Sequence, residues 1–164
     1  MANILDFGDM MYTSFEPKMK NRFYMQFNNT GIPAFMVKTG NRPQINFEKV
    51  TIDHINVKRQ LKGKGEWQDL EITLYDPIVP SAAQAVMEWV RLGHESITGR
   101  DGYADFYKKD IDIFMLGPVG DKVEQWKLIG AFPTQVNFGD LDASSNEVAT
   151  ATMTLTYDYA ILEF

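Results

Sequence analysis

The sequence predicts a mainly β domain that carries one helix and one long projecting hairpin. Three observations predict it. Apolar residues recur at every second position in most periodic segments, the spacing of half-buried strands. Aromatic residues make up 13% of the 164 residues, and flat rings pack well on a pleated surface. A single segment, after Pro80, carries the helical period instead. The length suits one domain, read as an arm over 1–20 followed by a β domain over 21–164.

The elements follow in order. Residues 1–20 show neither period and read as an arm that orders against a partner. Phe23, Met25 and Phe27 share one face of a first strand, Asn28, Asn29 and Gly31 form a turn, and Pro33 to Lys38 continues as an irregular strand. Alternation returns from Val50 to Arg59, with a phase slip at Asp53-His54 that reads as a β-bulge. Gln60 to Glu66, with Gly63 and Gly65, reads as the polar tip of a hairpin. Its return strand opens at Trp67, with Leu70, Ile72 and Leu74 inward and Asp69, Glu71 and Thr73 outward.

Ser81 and Gln84 form a capping box at the start of the helix. Ala82, Ala85, Val86, Trp89, Val90 and Leu92 make its apolar stripe, and Gly93 stands where a C-terminal cap belongs. Glu95 to Asp110 reads as a long polar loop. Ile111 to Leu116 and Val123 to Phe132 are strands about a turn at Gly117 to Gly120. The last strand is the longest: Ala149, Ala151, Met153, Leu155, Tyr157 and Tyr159 line one face. Thr150, Thr152, Thr154, Thr156 and Asp158 line the other.

Charge and composition narrow the function. A net charge of −6 argues against a protein that grips nucleic acid, since such grip comes from Lys and Arg on phosphates. It permits a surface past which a polyanion slides. Cysteine is absent, which removes disulfides and thiolate metal sites. Residues 1–20 lack the charged start and apolar run of a secretion signal. No stretch reaches the ~20 apolar residues that span a bilayer. A soluble product made in the cytoplasm, without a membrane anchor, is expected.

No catalytic, cofactor or metal residue is assigned. His94 lies just past the helix, where the dipole favours a cation. His54 has no Ser or Cys motif beside it, and no phosphate loop, zinc helix or nucleophile elbow is present. Gly63-Lys64-Gly65 opens no helix. Asp101, Asp105, Asp110 and Asp112 lack the spacing of a calcium loop and read as a solvated acidic stretch. The basic cluster Lys58, Arg59, Lys62 and Lys64 has two readings, a soluble hairpin tip or a plug for an acidic surface on another copy. The threonine row has two as well, a face toward water or a smooth polar wall.

Several stretches resemble the tail tube protein of contractile bacteriophages. Gly130-Ala131-Phe132-Pro133-Thr134-Gln135-Val136 is followed by Leu141-Asp142, Ser145-Asn146-Glu147 and a terminal strand, Thr154 to Tyr159, that ends in an aromatic-Asp pair. Earlier, the strand Trp67 to Asp76, the pair Glu88-Trp89 on the helix, and Asn21-Arg22-Phe23 fit the same order. The match covers most of residues 21–160, and the Met-rich N-terminal arm is the departure. The resemblance implies two packed antiparallel sheets, a β-sandwich or barrel, flanked by the helix. It implies hexameric rings stacked into a tube inside a contractile sheath of the virion tail. Partners would be a sheath protein, a baseplate or tube initiator, and a tape measure protein in the lumen; DNA would pass through without specific binding. Under it, Arg59, Lys62, Gly63, Lys64 and Gly65 are expected at the contact between rings. Asp69, Glu71, Thr73, Thr150, Thr152, Thr154 and Thr156 are expected in the lumen, although strand alternation also allows that face to meet sheath or solvent. Alternatives are a baseplate tube initiator, the inner tube of a type VI secretion or other contractile injection system, and, from a different class, a barrel that binds a small ligand.

Overall fold

A computed structural model describes residues 16–164. The first 15 residues of the expected arm therefore lie outside the described residues. Nine strands run β1 Phe23–Phe27, β2 Val37–Thr39, β3 Ile45–His54, β4 Val57–Trp67, β5 Leu70–Tyr75, β6 Lys109–Leu116, β7 Lys122–Asn137, β8 Thr150–Thr156 and β9 Tyr159–Leu162. Helix α1 spans Ala82–Gly93 and a single-turn α2 spans Ala104–Tyr107. Every strand pair is antiparallel.

Seven strands form one curled sheet in the order β1-β6-β7-β8-β5-β2, with β9 also on β7. The strand β7 joins its two halves. Its first part, through Ala131, pairs with β6 and β9, while Phe132 to Asn137 pairs with β8. The β8–β9 segment changes halves in the same way, pairing first with the end of β7 and then with its middle. The expected single last strand is thus broken at Tyr157-Asp158, and the strand expected to stop at Phe132 runs on to Asn137. Both differences have one cause: two adjacent strands turn the same corner together.

Apolar residues at alternate positions close the interior. Met25, Leu70, Ile72, Leu74, Ile111, Leu128, Met153 and Leu155 are all buried, and Val86 and Trp89 of α1 pack into the same core. Trp89 is 1% exposed, and its indole Nε1 donates to Tyr107 O at 2.7 Å. Ser81 caps α1 as the sequence predicts, accepting from Gln84 N at 3.4 Å. Asp76, which sequence reading missed, also accepts from Ala82 N and Ala83 N at 3.0 and 3.3 Å. A carboxylate there meets both free donors and the positive end of the helix dipole. Gly93 is the last helical residue and not the cap; His94 takes that place, its N–H bonding to Val90 O. Leu92, expected in the stripe, is exposed. The expected loop 95–110 holds α2, and Pro33 to Lys38 contains a 3-10 turn before β2.

The largest correction concerns the hairpin. Strands β3 and β4 form a two-stranded sheet of their own, and the chain reverses at Ile55-Asn56, not over Gln60 to Glu66. The phase slip at Asp53-His54 is the reversal itself. Ile55 sits at its apex with φ 54°, a left-handed conformation that a β-branched residue rarely takes. The glycines of the expected tip lie inside β4 and serve its pairing. A Cβ on Gly63 would stand 2.9 Å from Glu48 O, and one on Gly65 would enter the ring of Phe47. The ladder shifts register between Phe47 and Lys49, so β4 holds one extra residue at Gly63-Lys64.

Candidate assembly surfaces

The β5–β8 ladder places the sequence-predicted polar residues side by side. Glu71 stands opposite Thr154, Thr73 opposite Thr152, and Tyr75 opposite Thr150. Asp69 joins the row because Thr156 Oγ1 donates to its Oδ1 at 2.7 Å. All seven predicted residues therefore share one face, whose reverse side, Leu70, Ile72, Leu74, Ala151, Met153 and Leu155, is core. The face is wider than the sequence reading. Gln135 and Asn137 extend it across β7, opposite Thr154 and Thr152. Thr39 extends it onto β2, opposite Thr73. The alternation past Pro133, beyond the expected strand end at Phe132, carries that signal.

The chemistry of this wall is uniform. Two carboxylates, Asp69 and Glu71, stand among hydroxyls and amides, and Lys38 reaches it at one end, 5.7 Å from the Tyr75 ring centroid. Some hydroxyls are occupied within the wall: Thr156 by Asp69, and Thr134 by Thr154 O at 3.3 Å.

The hairpin is the second surface. Trp67 anchors its base, its ring 6.0 Å from that of Tyr157, and Gln68 N–H donates to Gln44 O at 2.8 Å. Of the residues expected at a ring contact, Arg59 lies near the tip, paired with Ile52, whereas Lys62 to Gly65 lie midway along β4. The Lys62 ammonium sits 4.6 Å over the Phe47 ring.

Buried Glu124 on β7 forms a third cluster that sequence reading missed. Its side chain is 8% exposed and meets Lys18, Arg42 at 3.4 Å and Trp126 Nε1 at 2.6 Å. Burial alone would raise its pKa; the hydrogen bonds from Lys18, Trp126 and Arg42 outweigh that and hold the carboxyl below the usual glutamate range. The cluster pins the segment before β1 and the loop before β3 to the sheet.

The acidic stretch is dispersed by the fold. Asp101 meets His94 Nδ1 at 2.8 Å, Asp110 accepts from Gly130 N, Asp112 accepts from Asn28, and Asp105 sits in the first turn of α2. Among the described residues, no group of three or more His, Asp or Glu is placed to hold a metal. No helix among them is long and apolar enough to cross a membrane. His54 lies exposed beside the hairpin turn. An open surface cleft of about 400 Å³ lies between α1 and β7, lined by Trp89, His94 and Phe132.

The family model described as T4-like virus tail tube protein gp19 matches residues 19–161. No curated protein matches the chain. Among solved structures, the PVC extracellular contractile injection system sheath/tube terminator in its extended state superposes with a TM-score of 0.74 at 20% identity, over 92% of this chain and 99% of that one. The anti-feeding prophage tube terminating cap gives 0.70 at 24% identity over 99% of both chains. The PVC sheath-tube complex in its extended state gives 0.67 at 24%, over 90% and 91%. At these identities the likeness is one of fold.

Proposed function

The chain belongs to the T4-like virus tail tube protein gp19 family, and from that premise we propose that it forms hexameric rings which stack into the inner tube of a contractile tail and conduct DNA. The role is structural, without catalysis. The single observation that carries the reading is the polar wall. Seven residues from two separate strands meet on one face, over a core on the other, with two carboxylates against one lysine at the rim. In a ring, symmetry repeats each lining residue, so a single inward lysine becomes a belt of positive charge. A neutral-to-acidic lining withholds the Lys and Arg contacts from which DNA affinity is built.

The four strands behind this wall, β7-β8-β5-β2, have edges at β2 and at the end of β7. Unpaired edges invite pairing with a neighbour, and a head-to-tail contact of that kind closes as a ring. A sheath around the tube, a baseplate or initiator at its end and a tape measure inside complete the assembly. Single cysteines at Thr152 and Glu71 test the wall. In assembled tubes a bulky maleimide should label them only near open ends, while separated subunits label freely. Rapid labelling along intact tubes places the wall outside and overturns the lumen assignment.

A second reading, a terminator or initiator ring in a phage tail or injection system, is favoured by the end-to-end likeness to a tube terminating cap. Electron microscopy of purified protein separates the two. A tube subunit gives stacks at high concentration, and a terminator gives single rings.

A further inference from the structure

Glu124 stands on the inward side of β7, in line with Trp126 and the core residue Leu128. A carboxylate there needs donors, and two of them come from outside the strands. Lys18, near the end of the expected arm, donates to Oε2. Arg42, in the loop that leads from β2 into β3, donates to Oε1 at 3.4 Å, beside Trp126 Nε1 at 2.6 Å. That loop passes close over β1, since a Cβ on Gly40 would stand 2.8 Å from Met25 Sδ. Two residues after Arg42, Gln44 O accepts from Gln68 N–H at 2.8 Å and closes the base of the hairpin. One residue after Lys18, Met19 O accepts from Arg22 N–H at 3.2 Å. The roots of the arm and of the hairpin therefore end on one buried carboxylate.

We infer that Glu124 is a shared latch: lifting Lys18 off its carboxylate loosens the base of the hairpin, and displacing Arg42 loosens the root of the arm. The division of the oxygens sets the sign. Two cations on the same lone pairs would compete, and removing one would tighten the other. Here Lys18 holds Oε2 while Arg42 shares Oε1 with Trp126, so neither occupies the other's seat. Burial is the largest influence on this carboxyl and opposes its charge, and the bond from Lys18 is the largest that offsets it. A buried charge that loses a partner is left uncompensated, so without Lys18 the carboxylate turns toward water and Arg42 loses its anchor. The Lys18 and Arg42 side chains are 47% and 60% exposed, so packing does not hold either in place of the bond. Coupling of this kind is reciprocal. Whatever engages the root of the arm is thus felt at the base of the hairpin, within one chain and independently of the tube reading.

Hydrogen exchange in the purified full chain tests the latch through two backbone bonds. Gln68 N–H reports on the base of the hairpin, and Arg22 N–H on the root of the arm. Lys18→Met is expected to speed exchange at Gln68 about tenfold, the scale of one hydrogen bond to a charged group. Arg42→Met is expected to speed Arg22 by the same factor. Glu124→Gln should do both, and Lys18→Met combined with Arg42→Met should add little to either alone, as a shared tie requires. Two comparisons isolate the effect. Lys20→Met removes a neighbouring cation that does not touch Glu124. Ile72→Val lowers stability from within the core. Both should leave the two amides at the wild-type rate. Variants that each loosen only their own segment overturn the inference. Slower exchange at the far segment overturns it as well, by making the cations competitors. So does an equal effect from Lys20→Met, which would make it one of overall charge, or from Ile72→Val, which would make it a general loss of stability.

Discussion

Gly130 and Asp158 meet at the corner where β7 leaves one half of the sheet for the other. Gly130 has φ 68°, and a Cβ there would collide with Asp158 Oδ2. Asp158 N–H donates to Ile129 O at 3.0 Å, and its carboxylate accepts from Lys108 Nζ at 2.9 and 3.0 Å. Gly130 opens the Gly-x-Phe-Pro run, and Asp158 closes the terminal aromatic-Asp pair. They are distant in sequence and form one joint in the fold.

Gly130→Ala should therefore destabilise the domain twice over. The left-handed backbone alone costs a residue with a Cβ roughly 1–2 kcal/mol, and the collision adds to it. Thermal melting of Gly130→Ala in the wild-type and Asp158→Gly backgrounds measures the two parts. The loss should be smaller where Asp158 is absent. An equal loss in both backgrounds means the carboxylate is not what the Cβ meets.

Trp89→Ala removes the largest fully buried side chain of the core and the hydrogen bond to Tyr107. A loss of about 3–5 kcal/mol is expected from the cavity, read by denaturant unfolding. Leu92→Ala, on the same helix but exposed, should change stability far less. Similar losses at both positions would contradict the observed helix face.

Acid should release the Glu124 cluster. Its folded pKa lies below the ordinary value, so its contribution is complete above the unfolded pKa and is lost as pH falls through the folded one. The groups that face it are Lys18, Arg42 and Trp126. The stability gap between wild type and Glu124→Gln should be widest near neutrality and narrow on acidification. A gap that widens toward low pH would reverse the sign and refute the assignment.

Glu71→Lys should convert the wall from repelling to binding. Under the proposed symmetry each ring gains a belt of lysines. Tubes of the variant should retain DNA at low salt and release it as salt rises, whereas wild-type tubes should not retain it. Filter binding with labelled DNA reads both. Equal retention by the two would take Glu71 off the DNA path.

Local pattern made much of this legible. The alternation Leu70-Ile72-Leu74 and Ala151-Met153-Leu155 is buried as expected, and the helix begins at the Ser81 cap. The hairpin turns away from the glycine- and lysine-rich segment where the local pattern places its tip, because glycine and lysine favour loops only where no partner strand claims them. In β4 the glycines answer to partners across the ladder: Gly63 to the backbone of Glu48, Gly65 to the ring of Phe47. Such partners are invisible in a window of a few residues.

The sequence by itself determined which residues share a side, because side chains alternate with a strict period of two and a helix repeats every 3.6 residues. Asp69, Glu71 and Thr73 had to stand together, as did the four threonines of β8. Only the tertiary structure decided that these two rows are one wall, that the chain reverses at Ile55, and that Glu124 is a buried anchor for Lys18 and Arg42. Strand pairing joins residues far apart in the chain, and its register is set by the turn and by the fit of distant side chains. No short stretch contains that information, so the wall exists only once β5 and β8 have met.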